Sequence, residues 1–222
     1  MLSRRIRSCD VRVRVNLLDK TSLIVPLVIW AIATAVYGVA LFAVGNYDVI
    51  SFIYHVFLLA LAIFCAVPHL LKIKPSVLSV SLKNELGLRI GNWRRGVLLV
   101  LAFLGYLLVA SFIEGFSQFT STVSFASFSA VIFAPITEEI FWRGLIQQRM
   151  LKLKKLEPLY VVALNAVLFG AMHIPKLLYF HTLQDFVPIV ALGIIFSGTC
   201  YLTKNSVYYS TAMHMLDNLF AS

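Results

Sequence analysis

The sequence predicts an all-α, polytopic integral membrane protein: a helical bundle of about seven transmembrane helices with its N-terminus in the cytoplasm. Of the 222 residues, 60% are hydrophobic and only 13% are charged, whereas a soluble domain carries about 25% charged residues. Long runs without any charged residue recur along the chain, and basic residues gather between alternate runs. Lipid is therefore the expected solvent for most of the surface.

Each uncharged run predicts one helix. A helix that spans a bilayer needs about 20 apolar residues, with about 17 as the lower limit. The first six runs reach that limit, and the last does so only if Asp217 and Asn218 lie within the membrane. The runs cover residues 22–44, 49–71, 96–113, 116–137, 158–174, 186–203 and 206–216.

The formal net charge of +9 could indicate a nucleic-acid-binding protein, but the distribution of the basic residues favours topology. Of the 19 lysines and arginines, all but Lys176 fall on one predicted side of the membrane. Basic loops stay on the cytoplasmic side, which places the N-terminus in the cytoplasm. We therefore expect the lipid bilayer, and not a nucleic acid, as the surroundings, with a bacterial or archaeal plasma membrane as the location.

The chain divides into two predicted parts. Residues 1–95 contain a basic N-terminal segment, two helices and a cytoplasmic juxtamembrane segment, and residues 96–222 form a five-helix region. The mixed apolar and basic stretch at residues 72–96 suits either a segment lying on anionic headgroups or a plain connecting loop. In the N-terminal pair of helices, His55 and His69 are interpreted as packing or interfacial residues.

The candidate functional residues are polar groups at membrane depth, where an ionisable side chain costs free energy unless it is paired or hydrated. Residues 137–144 read TEEIFWRG. Helical residues four apart share a face, so Glu139 can pair with Arg143. Glu138 lies about 100° around the helix from Glu139 and needs a partner from another helix or a water-filled cavity.

Three further polar residues follow, namely His173, His214 and Asn218. At 1.5 Å per residue, Glu138 and these three lie about 13–22 Å from the cytoplasmic ends of their helices. The four side chains thus fall in one layer about 9 Å thick. His214 and Asn218 are also four residues apart and share a helix face.

Two catalytic arrangements fit these side chains. In the first, Glu138 acts as a base that activates water toward a carbonyl carbon, and His214 and Asn218 donate hydrogen bonds to the oxyanion. In the second, Glu138, His173 and His214 bind zinc, which leaves one position for water. Both arrangements lead to peptide hydrolysis.

The motifs that carry these residues, EEIFWR, FGAMH and HMLDN, resemble the EExxxR, FxxxH and HxxxN motifs of the CPBP family of intramembrane proteases. That family includes the CAAX prenyl endopeptidases and the bacteriocin-processing or abortive-infection proteins. The resemblance implies that Glu138 and His173 activate the water, and that His214 and Asn218 stabilise the oxyanion or help to hold a metal. It also implies that Glu139 and Arg143 support the site. We favour the metal-free mechanism, because a carboxamide suits an oxyanion hole better than a zinc shell.

The implied function is that of an intramembrane endopeptidase acting on peptide or protein substrates, which include lipidated and membrane-bound ones. Three alternatives stay open from the residues. The polar groups could join helices by hydrogen bonds of about 0.6–2 kcal/mol each, or form the relay of a proton-coupled transporter. The chain could also be a non-catalytic immunity or scaffold protein on the same fold.

Overall fold

The computed structural model describes residues 2–70, 83–114, 125–153 and 156–221, and these ranges are helical with no β-strand. The predicted all-α class is confirmed. We number the helices α1 to α7: α1 (Leu2–Val44), α2 (Tyr47–Leu70), α3 (Trp93–Glu114), α4 (residues 125–152), α5 (Pro158–Tyr179), α6 (Phe186–Leu202) and α7 (Val207–Ala221).

Five helical stretches within the described ranges are long and apolar enough to cross a membrane. They are Leu23–Val44, Tyr47–Ala66, Trp93–Ile113, Pro158–Tyr179 and Leu183–Leu202. Helix α7 has 15 residues, and α4 is divided into α and π segments, so neither is among the five. The count of seven spanning helices and the cytoplasmic N-terminus stay predictions.

Helix α4 is the irregular centre of the bundle. It consists of Phe125–Phe128 (α), Ser129–Phe133 (π), Ala134–Glu139 (α), Ile140–Gln147 (π) and Gln148–Lys152 (α). Pro135, which has no N–H to donate, lies at the start of the central α segment. Every side chain from residue 141 to residue 150 is buried. π segments are rare and often occur at functional sites. The two glutamates that lie between the two π segments of α4 are therefore candidates for a functional role.

Helices α1, α2, α5, α6 and α7 pack against α4. Its C-terminal end is tied to α2 by Arg149, whose Nη2 donates to the carbonyl of Cys65 over 2.6 Å. Asn165 of α5 donates to the carbonyl of Trp142 (3.0 Å) and accepts from the hydroxyl of Ser197 on α6 (2.9 Å). These bonds fix the positions of α5 and α6 relative to α4.

The connection before α3 is folded against the protein at residues 83–92. Gly87 and Gly91 have φ angles of +67° and +61°, which residues with a Cβ rarely adopt. The carbonyl of Gly87 accepts from the N–H of Val207 (3.1 Å), and the N–H of Asn92 donates to the carbonyl of Thr203 (3.1 Å). The first part of the 72–96 stretch lies outside the described residues, and the division of the chain at residue 95 stays a prediction.

Candidate active site

A cavity of about 240 Å³ opens among α1, α2, α4, α5 and α7. All four candidate catalytic residues, Glu138, His173, His214 and Asn218, line it. The depth argument from the sequence therefore agrees with the structure: groups that are up to 80 residues apart along the chain lie around one space. The other polar lining groups are Tyr37, Tyr47, Asp48, Ser51, Tyr54, His55, Ser129 and Lys176.

Glu138 is the centre of the site. It is only 4% exposed, and its two carboxyl oxygens face different partners. Oε1 lies 2.7 Å from Nε2 of His55 on α2. Oε2 faces the Nε2 atoms of His214 and His173 at 3.8 Å and 4.0 Å, which is beyond direct hydrogen-bond distance.

The contact with His55 corrects an interpretation made from the sequence. A single histidine in an apolar helix gave no sign of a partner, and we interpreted it as a packing or interfacial residue. The structure makes it the closest partner of Glu138, across 83 residues of chain. The side chain of His69 lies outside the described residues.

His173 is oriented by its own helix. A carbonyl oxygen can only accept a hydrogen bond, so Nδ1 of His173 donates to the carbonyl of Phe169 over 2.9 Å. The Phe169 ring also packs against the imidazole, with centroids 4.8 Å apart. In the neutral imidazole Nε2 is then an acceptor, and it faces the Glu138 carboxylate, which is an acceptor as well.

His214 lies between the two glutamates. Its Nδ1 is 3.2 Å from Oε1 of Glu139, and its Nε2 faces Glu138. The ring stacks on Phe196 of α6 with centroids 4.9 Å apart. These contacts hold the ring plane so that Nε2 points toward the cavity side of Glu138.

Glu139 and Arg143 form the predicted ion pair. Nη1 of Arg143 lies 3.0 Å from Oε1 of Glu139, and both side chains are fully buried. Nη2 donates to the carbonyl of Gly193 over 3.2 Å, and the guanidinium lies 4.3 Å from the centroid of Phe169. The pair thus joins α4 to α5 and α6, beside the cavity and not in its lining.

Asn218 is half-buried at the cavity wall. One hydrogen of its Nδ2 is donated to the carbonyl of Ala130 on α4 over 2.8 Å. A carboxamide nitrogen carries two hydrogens, so one remains for another acceptor. The bond to Ala130 fixes the amide so that its nitrogen, and not its oxygen, lies on the α4 side.

The side chains proposed for zinc, Glu138, His173 and His214, do not form a ligand set as they are placed. Tetrahedral ligands about 2.0–2.1 Å from zinc are about 3.4 Å from one another, whereas Oε2 of Glu138 is 3.8 Å and 4.0 Å from the two imidazoles. Its other oxygen is occupied by His55. Within the described part of the chain, no group of three or more His, Cys, Asp or Glu side chains has a metal-binding arrangement.

Comparison with known proteins identifies the region that carries this site. Residues 120–220 match the family model of the type II CAAX prenyl endopeptidases, described as Rce1-like. This region is similar to the Rce1-like CAAX proteases. No curated protein and no solved structure gives a significant match.

The Rce1-like region contains α4 to α7, and therefore Glu138, His173, His214 and Asn218. The match supports a CAAX-protease-like endopeptidase region, for which peptides or proteins are the implied substrates, and the apolar helices support an integral membrane protein. His55, on α2, lies outside the Rce1-like region. No sequence motif indicated a functional role for His55. The only indication available from the sequence was that Glu138 needs a partner from another helix.

Proposed function

We propose that the protein hydrolyses peptide bonds with a water molecule activated by Glu138 and His173. The observation that supports this most directly is that two hydrogen-bond acceptors face the same part of the cavity. They are Oε2 of Glu138 and Nε2 of neutral His173, which lie 4.0 Å apart. Two acceptors at this distance do not bond each other, but a water molecule can donate one hydrogen to each. Its lone pairs then remain free to attack a carbonyl carbon.

In this mechanism Glu138 is the general base. Oε2 accepts a proton from the water as the oxygen attacks the scissile carbonyl, and it then gives that proton to the leaving nitrogen. His173 holds the water through Nε2, because its Nδ1 is engaged with Phe169. A low-dielectric site strengthens these interactions once substrate fills the cavity.

We assign the stabilisation of the oxyanion to Asn218 and His214. The free Nδ2 hydrogen of Asn218 is available because only the other one is engaged, with Ala130. His214 donates from Nε2, with Nδ1 directed at Glu139. Removing one such donor from a hydrolase typically lowers kcat by about 10²–10³-fold.

The substrates we propose are peptide segments held at the membrane, including those with a lipid attached near the cleavage site. The cavity lies among apolar helices, and large hydrophobic side chains of α1, α2 and α3 are exposed on the outside of the bundle. A substrate anchored in the bilayer would reach such a site by diffusion in two dimensions. A transporter relay predicts ionisable groups along a path, whereas these groups cluster around one cavity.

The proposal is tested with Glu138→Gln, which keeps the size of the side chain and removes the base. Membranes containing the wild-type protein or the variant are compared by quantitative proteomics for new peptide ends. A prenylated and an unprenylated tail peptide are then assayed with purified protein. We expect cleavage by the wild type alone, while both proteins accumulate in membranes. Cleavage by Glu138→Gln at the wild-type rate would refute the mechanism.

His173→Ala and His214→Ala are expected to abolish cleavage in the same assay. Glu139→Gln is the matched control for Glu138→Gln, because it changes the neighbouring carboxylate in the same way. It should lower the yield of folded protein more than the turnover of the molecules that fold. The reverse pattern would mean that the two glutamates have exchanged roles. A wild-type protein that cleaves nothing in either assay would favour the scaffold function.

A further inference from the structure

His55 contacts Glu138 in a specific geometry that its burial alone does not require. It lies on α2, it is 6% exposed, and both of its ring nitrogens are engaged. Nδ1 is 2.6 Å from the carbonyl oxygen of Ser51 and 3.4 Å from the hydroxyl of the same residue. Nε2 is 2.7 Å from Oε1 of Glu138.

The positions of the hydrogens follow from these partners. A carbonyl oxygen only accepts, so Nδ1 of His55 must donate to Ser51. A neutral imidazole with hydrogen on Nδ1 has a bare lone pair on Nε2, and a lone pair against a carboxylate oxygen at 2.7 Å would be repulsive. One hydrogen therefore lies between Nε2 of His55 and Oε1 of Glu138, and it is bonded to Nε2 when Glu138 acts as an ionised general base.

This hydrogen bond makes the two oxygens of Glu138 unequal. Oε1 is occupied by His55, while Oε2 is buried and has no hydrogen-bond partner among the described residues. Oε2 is also the oxygen that faces His173 and His214. A carboxylate without the His55 contact could rotate about its last bond and present either oxygen, or neither, to the cavity.

We propose that His55 is a positioning residue for the hydrolytic reaction, and that its hydrogen bond holds Oε1 of Glu138 so that Oε2 is the atom that accepts the proton of the attacking water. The inference rests on the proposed function. The water O–H bond breaks as the C–O bond forms, and its proton goes to Oε2. The C–N bond then breaks, and that proton goes to the leaving nitrogen. The hydrogen shared with His55 stays in place, so the step balances without it.

Two substitutions separate positioning from a general structural role. His55→Leu fills the space without a donor. His55→Gln places an amide N–H near the position of Nε2, so it can still donate to Oε1. With a substrate that the wild-type protein cleaves, we expect His55→Leu to lower kcat by about 10- to 100-fold, as for the loss of one hydrogen bond to a charged group, with KM unchanged. His55→Gln should recover most of this loss.

The matched control is Cys65→Ala, a buried position on the same helix, about 15 Å from His55 along the axis. It should leave both kinetic constants unchanged. His55→Leu with a wild-type kcat, or His55→Gln as impaired as His55→Leu, would overturn the inference. Either result could occur while Glu138→Gln is inactive, so failure of this inference is distinct from failure of the proposed function.

A spectroscopic test does not depend on activity or on the folding of His55→Leu. The chain has five histidines, and ¹⁵N labelling of their rings gives a countable spectrum in which His55→Gln identifies the signals of His55. We expect Nδ1 of His55 to carry a hydrogen in the wild-type protein, and Glu138→Gln to change the Nε2 signal. A His55 ring with a bare Nδ1, or an Nε2 signal unaffected by Glu138→Gln, would overturn the inference.

Discussion

Replacement of Arg143 by alanine removes the arginine partner of the buried Glu139 carboxylate, which keeps only the contact with Nδ1 of His214 at 3.2 Å. Both side chains are fully buried, with Nη1 and Oε1 3.0 Å apart. Removing one partner of such a pair costs about 3–5 kcal/mol, because the remaining buried charge loses its arginine counter-ion. Arg143→Ala also removes the hydrogen bond to Gly193 and the packing on Phe169. For a chain of this length, the expected fall in Tm is about 6–20 °C.

The comparison variant is Lys152→Ala, which breaks an ion pair of the same chemical kind at the surface. Nζ of Lys152 lies 2.6 Å from Oε1 of Glu85, with the lysine side chain 54% exposed. Exposed pairs contribute about 0–1 kcal/mol, so this variant should melt close to the wild type. Tm is measured in detergent with a thiol-reactive dye, since Cys65 and Cys200 are buried free thiols that become reactive on unfolding.

A double variant makes the test specific to the buried charge. Arg143→Ala combined with Glu139→Gln removes the buried carboxylate and should regain part of the lost Tm, because a neutral amide costs less to bury than a charge. An Arg143→Ala protein with the same Tm as the Lys152→Ala protein would refute the reasoning. So would a double variant that is less stable than Arg143→Ala, since the carboxylate would then not be the source of the cost.

Three further results are expected. Asn218→Ala should lower kcat by about 10²–10³-fold with little change in KM, measured by steady-state cleavage of the identified substrate, and an unchanged kcat would remove the amide from the oxyanion site. Cleavage should persist in the presence of a zinc chelator, and elemental analysis should find no stoichiometric zinc; inhibition that zinc reverses would contradict this. Gly144→Ala should lower the free energy of unfolding by about 1–3 kcal/mol, because its new Cβ would meet the backbone carbonyl of Leu86. Gly105→Ala is its control, since a Cβ there meets nothing within 4 Å, and equal Tm values for the two variants would contradict the packing argument.

Much of the fold was predictable because hydrophobicity acts locally and repeatedly along this chain. Each run of about 20 uncharged residues specifies a helix by length and composition alone. Six of the observed helices overlap their predicted runs closely, whereas α4 continues to residue 152, beyond the end of its run at residue 137. The division of α4 into α and π segments was not predictable. It depends on how residues 125–152 pack against five other helices, and no local pattern in the sequence records that packing.

The candidate site, like the fold, was predictable from the sequence only in part. The Glu139–Arg143 pair could be predicted since residues four apart on a helix share a face whatever surrounds them. The presence of Glu138, His173, His214 and Asn218 in one layer followed from the helical rise. The hydrogen bond from Asn218 to Ala130 could not be predicted, because it joins residues 88 positions apart through the angle at which α7 crosses α4.

The sequence by itself determined that this is a membrane protein and that the second glutamate has a partner on its own helix, and it predicted that carboxylate, imidazole and amide groups fall in one layer. Only the tertiary structure decided what holds the first glutamate. A periodic pattern reports which residues of one helix share a face, but it carries no information about which other helix packs on that face. His55 meets Glu138 because α2 lies against α4, and that choice is made by the packing of the whole bundle.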